Sequence, residues 1–134
     1  MRVVVDTNVL VSGVMNPHGP PGRIVDLMLS DAFVVLLDDR ILSEYREVLL
    51  RPEFGFQHGD VDTLLDYLHR AGEHVLARHA ELLLPDASDL PFLEVAASGH
   101  ADALITGNVK HFKPRRGQHS VHVLTPAGFL GRLV

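Results

Sequence analysis

The sequence predicts an α/β fold: a three-layer sandwich with a mostly parallel central sheet and helices on both faces. Short runs of branched apolar residues alternate along the chain with segments whose apolar residues recur at helical spacing. The first run, Val3 to Val5, is apolar at every position, which is typical of a strand buried on both faces of a parallel sheet. The acidic residue Asp6 follows it directly. Alternation of this kind favours a sheet covered by helices on both sides.

Five short segments have the composition of strands. Each is a compact apolar run bounded by polar or turn-forming residues. In chain order they are residues 3–5, 33–37, 75–76, 103–106 and 121–124. Most consecutive strands are far enough apart in the sequence to be joined by a helix, as parallel pairing requires.

Six segments are predicted to be helical from their apolar spacing or their terminal residues. They are residues 9–15, 20–30, 40–50, 61–71, 91–98 and the segment that begins at Thr125 and Pro126. A proline pair opens the second helix and Pro91 lies in the first turn of the fifth, where the missing N–H is not needed. Asp60 and Thr125 suit the N-caps of the fourth and the last helix, because their side chains can accept hydrogen bonds from free backbone N–H groups.

The composition is that of an ordinary globular chain. The 134 residues are 46% hydrophobic and 22% charged, and the absence of cysteine excludes disulfides and thiolate zinc sites. We expect neither a membrane span nor a signal peptide, and therefore a cytoplasmic protein without a membrane partner. The net charge of −5 disfavours general affinity for nucleic acid but leaves room for a local basic patch. We find no linker or repeat and predict a single domain over residues 1–134.

Four polar residues stand where predicted strands end or the next helices begin. They are Asp6, Glu44, Asp89 and Asn108. In a doubly wound sheet the carboxyl ends of the strands lie along one edge, so residues distant in sequence can meet there. Carboxylates without cysteine or closely paired histidines favour a hard cation such as Mg²⁺ or Mn²⁺. Such a site suits attack of a metal-activated water on a phosphodiester.

Ordinary structural roles also account for each acid. Helix capping explains Asp6 and Asp89, and a place on the exposed face of its helix explains Glu44. Asp86 is interpreted as a solvated loop acid and Asp102 as a structural one. The spacing therefore leaves a metal-dependent enzyme and a purely structural set of acids both open.

Short motifs along nearly the whole chain resemble those of PIN-domain nucleases, and they occur in the same order. They are Val5 to Ser12, Asn16 to Pro21, Ile41 to Tyr45, Leu50 to Pro52, Asp86 to Ala97, Ala101 to Asn108 and Leu124 to Pro126. Each motif alone is weak, whereas the ordered set is specific. The chain is most similar to the subgroup described as toxin components of bacterial toxin–antitoxin systems.

The resemblance implies a Mg²⁺- or Mn²⁺-dependent endoribonuclease on a Rossmann-like sheet. The acidic positions of the family map onto Asp6, Glu44 and Asp89, which are thereby assigned to the metal. RNA and a cognate antitoxin protein are the implied partners, and a homodimer is left open beside a monomer.

Two further positions follow from the same resemblance. Thr106 matches the hydroxyl position of the family near the metal, and Asn108 stands where many relatives carry a fourth acid. An amide can ligate a cation through its oxygen but adds no negative charge, so the number of metal ions stays open. Asp86 and Asp102 are the alternatives for a compensating acid.

The segment 110–119 contains the one clear basic cluster. Its cations are Lys110, Lys113, Arg115 and Arg116. The cluster follows Asn108 directly, so we expect it to overhang the proposed site and to hold phosphates of single-stranded RNA, with Phe112 stacking on a base. Asn8, the polar residue after the first acid, is also assigned to substrate binding. The alternative is a solvated loop whose charges have no ligand.

Two other functions compete with the nuclease. A receiver-like signalling domain is also doubly wound with an acidic pocket, but it needs paired acids after its first strand, whereas Asp6 stands alone before Thr7 and Asn8. A catalytically weak or inactive PIN-like module that only binds RNA or protein is the second, and the neutral side chain of Asn108 favours it.

Overall fold

The computed structural model describes residues 1–133, which form five strands and six α-helices. The strands are β1 (Arg2–Val5), β2 (Val34–Leu37), β3 (Glu73–His74), β4 (Ala103–Ile105) and β5 (Val123–Leu124). The helices are α1 (Thr7–Met15), α2 (Pro20–Leu29), α3 (Asp39–Leu49), α4 (His58–Ala71), α5 (Leu90–Ser98) and α6 (Pro126–Arg132). Three short 3₁₀ turns lie at Pro52–Phe54, Ala87–Asp89 and Val109–Phe112.

The strands form one sheet in the order β3-β2-β1-β4-β5, and every neighbouring pair is parallel. The central strand is β1, in which Val3 pairs with Val35 on one side and with Ala103 on the other. The chain runs outward from β1 to β3 and then returns to β4 on the far side of β1. The gap beyond the carboxyl ends of β1 and β4 is therefore the switch point at which open α/β sheets bind ligands.

The core explains why β1 occupies the centre. Val3, Val4 and Val5 are fully buried because both faces of the sheet are covered. Crossovers between parallel strands are right-handed, so the reversal of direction at β3 places α5 on the opposite face from α1 and α2. The predicted α/β sandwich is confirmed.

Most predicted elements are found within two or three residues of their expected bounds, and two details are wrong. The third strand lies at Glu73–His74 rather than at 75–76. Val75 still donates to the Leu37 carbonyl at 2.9 Å, but Leu76 lies beyond the end of the edge strand β3 and is 97% exposed.

The second error concerns the N-terminus of α4. The helix begins at His58, so Asp60 lies in its first turn and Gln57 occupies the cap position. The predicted cap of α6 is confirmed, since the Thr125 hydroxyl accepts from the Gly128 N–H at 3.0 Å. Within residues 1–133, no helix combines the length and the hydropathy needed to cross a membrane.

Candidate active site

Asp6 and Thr106 join the two central strands at the switch point. Asp6 follows β1 and Thr106 follows β4, and the Thr106 hydroxyl donates to Asp6 Oδ2 at 2.8 Å. Asp6 is only 6% exposed and Thr106 is fully buried. Although Asp6 occupies the N-cap position of α1, its side chain makes no capping hydrogen bond. Its carboxylate is therefore directed to the site and does not serve the helix.

Glu44 is brought to the same edge by α3. The Thr7 hydroxyl at the start of α1 donates to Glu44 Oε2, and the side chain of Glu44 is half-buried rather than freely exposed. The neighbouring Tyr45 is completely buried, and its hydroxyl donates to the carbonyl of Val5 at the end of β1. These two hydrogen bonds fix α3 against the strand that carries the first acid.

Asp89 comes to the site at the start of α5. Its side chain does not cap the helix, and its Oδ2 atom is buried without a hydrogen-bond donor among residues 1–133. His111 Nδ1 lies 3.3 Å from this oxygen, close enough for an electrostatic contact but outside hydrogen-bond geometry. A buried acceptor without a donor is costly, so this oxygen calls for a partner.

Asp6 and Asp89 both have raised pKa values, and neighbouring acids contribute to each increase. Burial raises the pKa of Asp6 to about 6, the charges of Asp89 and Glu44 add to the increase, and the hydrogen bond from Thr106 opposes it. Burial also raises the pKa of Asp89, with contributions from the charges of Asp86 and Glu44 and an opposing one from His111. The negative charge of Glu44 thus acts on both Asp6 and Asp89, and a cation placed among the three side chains would relieve the repulsion.

The donor chemistry fits a divalent cation. Carboxylate and amide oxygens are the ligands preferred by Mg²⁺ and Mn²⁺, and the unsatisfied Oδ2 of Asp89 is an available one. Within the described part of the chain, no three acidic or histidine side chains are arranged to hold a metal as they stand. Asp6 and Glu44 are each hydrogen-bonded to a threonine hydroxyl instead.

Two asparagines close the site on the side of β4. The Asn8 side chain accepts from the Gly107 N–H at 3.2 Å and so links α1 to the loop after β4. Asn108 donates its backbone N–H to the Thr106 hydroxyl at 3.0 Å, and its side-chain nitrogen lies 2.9 Å from His111 Nε2. Asn108 is half-buried at the site, whereas Asn8 is exposed at its rim.

The basic loop beyond Asn108 is anchored beside the segment that leads to Asp89. Its four cations are exposed, and none of them forms an ion pair with another of the residues 1–133. Leu83 pairs with the loop in an antiparallel bridge, donating to the Arg116 carbonyl at 2.8 Å and accepting from the Arg115 N–H at 2.7 Å. Gly117 has φ +83°, and a Cβ there would lie 2.6 Å from the Cβ of Leu82. The loop is therefore a fixed turn.

Comparison with known families decides the identity of the fold and of the motifs. The PIN domain family profile matches residues 2–110. The chain belongs to the PIN domain family. PIN domains are generally nucleases, and the family's nucleases generally use divalent metals. The family resemblance found in the sequence is thereby confirmed.

Two individual proteins are similar to this PIN domain. An uncharacterized protein of Methanocaldococcus jannaschii is 35% identical over 68 residues, which span 51% of this chain and 44% of the relative. The chain thus matches less than half the length of that relative. The crystal structure of VapBC2 from Rickettsia felis, bound to a DNA fragment from their promoter, has a TM-score of 0.61 and 16% identity, covering 93% of this chain and 98% of that chain. This second likeness confirms the fold.

One substrate-binding expectation is wrong. Phe112 is 1% exposed and belongs to the hydrophobic core of the PIN domain, so it has no face on which a base could stack. The aromatic ring is needed inside because the turn at Val109–Phe112 folds back onto the sheet. Of the two alternative acids, Asp102 lies away from the site, where it accepts from the Arg2 N–H at the opposite end of the strands. Asp86 is exposed and accepts from Ser88, but it is near enough for its charge to raise the pKa of Asp89.

Sequence reasoning missed two side chains at this edge. His111 touches both Asn108 and Asp89, and only its place three residues after Asn108 hinted at this. Glu94 is 3% exposed and accepts from Arg40 Nη1 at 2.7 Å, from the Ala80 N–H at 2.8 Å and from His79 Nδ1 at 2.9 Å. It borders a groove of about 660 Å³ beyond the ends of β2 and β3. An acid within an otherwise apolar helical run was the available signal.

Proposed function

We propose that this PIN domain is a Mg²⁺- or Mn²⁺-dependent endoribonuclease. The observation that carries the proposal is the convergence of three buried or half-buried acids, Asp6, Glu44 and Asp89, at the switch point of the sheet, where the charges of Asp89 and Glu44 help to raise the pKa of Asp6. The acids come from three separate elements, and capping bonds account for neither Asp6 nor Asp89. Strongly perturbed carboxylates in such a position favour a functional site over a structural one.

Each residue has a definite task in this proposal. Asp6, Glu44 and Asp89 would hold the ion, and Thr106 fixes the orientation of Asp6 through its hydrogen bond. Asn108 offers a neutral oxygen beside them. A bound divalent ion supplies an activated water at neutral pH and neutralises charge on the phosphate. The residues themselves exclude bulk water and orient the carboxylates.

RNA is held, in the same proposal, by the basic loop and the rim of the site. Lys110, Lys113, Arg115 and Arg116 are exposed cations without acidic partners among residues 1–133, and so they are free to contact phosphates. Asn8 stands at the rim as a polar contact. The net charge of −5 confines the attraction for RNA to this loop.

We further propose that residues 1–134 act as one domain and as the cytoplasmic toxin of a toxin–antitoxin pair, with a cognate antitoxin protein as partner. The support is the shared fold with VapBC2 of Rickettsia felis. Co-expression with candidate antitoxins from neighbouring reading frames tests this role by relief of growth arrest.

Cleavage of a panel of labelled single-stranded RNAs tests the enzyme. We expect cleavage with Mn²⁺ that EDTA abolishes and that Asp6→Asn reduces by at least about a hundredfold. Asp62→Asn is the matched control, because Asp62 is an exposed acid that pairs with Arg46 away from the site. Cleavage that persists in EDTA or in Asp6→Asn would contradict the proposal. RNA or protein binding without any cleavage would favour the inactive module.

A further inference from the structure

His111 occupies a position between two residues of the proposed metal site. It lies in the 3₁₀ turn Val109–Phe112, which begins directly after Asn108. One ring nitrogen, Nε2, is 2.9 Å from the side-chain nitrogen of Asn108, and the other, Nδ1, is 3.3 Å from Oδ2 of Asp89. The ring therefore spans the amide and the acid, which are 19 residues apart in the chain.

The two contacts favour one placement of the ring hydrogen. Nδ1 faces Asp89 Oδ2 in an electrostatic contact outside hydrogen-bond geometry, and a hydrogen on Nδ1 makes this contact favourable. In a neutral imidazole the other nitrogen, Nε2, is then an acceptor. An acceptor at this place requires a donor from Asn108, and only the NH₂ group of the amide can provide it. The two contacts are thus mutually consistent in a single arrangement.

We infer that His111 is a positioning residue that determines which atom Asn108 presents to a cation. An asparagine side chain can turn either its oxygen or its nitrogen towards a ligand, and only the oxygen binds Mg²⁺ or Mn²⁺. The ring of His111 holds the nitrogen, which leaves the oxygen for the ion. The inference rests on the proposed function, because it concerns how this neutral residue takes part in the same metal site.

The inference explains how a neutral residue can serve at position 108. A carboxylate has two equivalent oxygens, so its orientation does not affect whether an oxygen faces the metal. An amide needs a neighbour that selects its orientation. The dependence on His111 should therefore exist for Asn108 and disappear when position 108 carries an acid.

A double-mutant cycle read by Mn²⁺ calorimetry tests this dependence. We expect His111→Ala to weaken Mn²⁺ binding about threefold to tenfold in the Asn108 background, the scale of one lost hydrogen bond. In the Asn108→Asp background we expect the same change to leave Mn²⁺ affinity within about twofold. An equal loss in both backgrounds would mean that His111 acts through Asp89 or through the fold rather than through Asn108, and no loss in either would also overturn the inference.

His119→Ala is the control within the same loop. His119 contacts the Phe112 carbonyl and accepts from the Val121 N–H, so its loss disturbs the loop without touching Asn108. We expect its Mn²⁺ affinity to equal that of the wild type. A loss as large as that of His111→Ala would assign the effect to loop disorder and overturn the inference.

A metal-free measurement separates this inference from the proposed function. In the NMR spectrum of the EDTA-treated protein, the side-chain NH₂ resonances of Asn108 should show a hydrogen-bonded proton that is lost in His111→Ala. If Asp6→Asn leaves Mn²⁺ binding unchanged, or the wild type binds no Mn²⁺, the proposed function fails while this resonance still decides the orientation of Asn108. Unchanged resonances in His111→Ala overturn the inference whatever the metal does.

Discussion

Glu94 and Asp6 are both buried carboxylates beyond the carboxyl ends of the sheet, yet their surroundings are opposite. Glu94 is 3% exposed and receives hydrogen bonds from Arg40, from His79 and from the Ala80 N–H. Asp6 is 6% exposed and has one side-chain donor, Thr106, while its charged neighbours are acids. The two side chains are therefore buried to a similar extent, and they differ in the number of their hydrogen-bond donors and in the sign of the neighbouring charges.

The pKa values record this difference. Burial alone would raise the pKa of Glu94, but the hydrogen bonds from Arg40 and the Ala80 N–H outweigh it, and the pKa is lowered. For Asp6 burial is the dominant influence and raises the pKa to about 6. A buried acid with its own cation is a structural part of the fold, whereas one surrounded by acids lacks the positive charge that a ligand would bring.

The largest expected effect is a loss of stability in Glu94→Gln. The amide cannot accept from all three donors, and the attraction to Arg40 is lost. We expect the free energy of unfolding to fall by about 3 kcal/mol, the scale for breaking a buried pair whose cation stays partly in water. Urea denaturation of the metal-free protein measures it. Arg46→Gln is the control, because it breaks the exposed pair between Arg46 and Asp62. It should lower the free energy of unfolding by less than about 1 kcal/mol.

The second effect has the opposite sign and concerns Asp6→Asn. The pKa of Asp6 is raised from 3.8 to about 6 in the folded state, so the folded protein binds this proton more tightly than the unfolded chain does. The stabilisation from the proton is complete below about pH 4 and is lost as the pH rises through about 6. The wild type should therefore lose up to about 3 kcal/mol over this range relative to Asp6→Asn.

Urea titrations of the wild type and of Asp6→Asn, both in EDTA at pH 4.5 and pH 7.5, measure how much stability the wild type loses relative to the variant. The variant should be more stable than the wild type at the higher pH. A variant that is less stable at pH 7.5 would remove the contrast with Glu94, because Asp6 would then be a satisfied acid as well.

Asp89→Asn should show a smaller gain than Asp6→Asn. The pKa of Asp89 is raised by burial, but His111 partly opposes this and the side chain is more exposed, at 13%. Asp89→Asn replaces the charged, unpartnered Oδ2 atom by a group of a neutral amide, which removes the cost of a buried charge without a hydrogen-bond donor. We expect about 1 kcal/mol at pH 7.5. A gain that exceeds that of Asp6→Asn would reverse the order of the two site acids.

The smallest expected effect, counted per substituted residue, is on the salt dependence of RNA binding by the basic loop. This loop supplies the positive charge that the acidic site lacks. Neutralising its four cations together should lower the log–log salt slope of binding by up to about 3, at about 0.7 for each lost phosphate contact. Fluorescence anisotropy between low and moderate salt measures the slope.

A variant with the same change of net charge controls for nonspecific attraction. It neutralises four exposed cations outside the loop: Arg23, Arg70, Arg78 and Arg132. Equal slopes for the two variants would show that the loop has no special role.

The sequence predicts those parts of the site that depend on neighbours in the chain. A run of valines before Asp6 determines both a central strand and the place of the acid, because a strand buried on both faces must end where the polar residue begins. The cap of α6 is equally local, because the Thr125 hydroxyl accepts from the N–H of Gly128, only three residues later. The ends of parallel strands share an edge, so the meeting of Asp6 with Thr106 follows from topology.

Contacts that depend on distant neighbours escape such reasoning. Arg40 and Glu94 are 54 residues apart, and neither position indicates that the other will satisfy it. The burial of Phe112 was missed for a related reason, because a basic segment suggests an exposed loop while the turn that carries the ring folds onto the sheet. A run of basic residues predicts that a segment is exposed, but whether one side chain within it points inward depends on the conformation of the backbone turn.

The bridge between Leu83 and the basic loop has a consequence for the thermodynamics of ligand capture. Two backbone hydrogen bonds hold the main chain of Arg115 and Arg116 in place in the free protein. The conformational entropy of ordering this turn is thus lost during folding rather than at association. A loop of this kind contributes its charges as a preorganised template, and its affinity should change little when the turn is stiffened further.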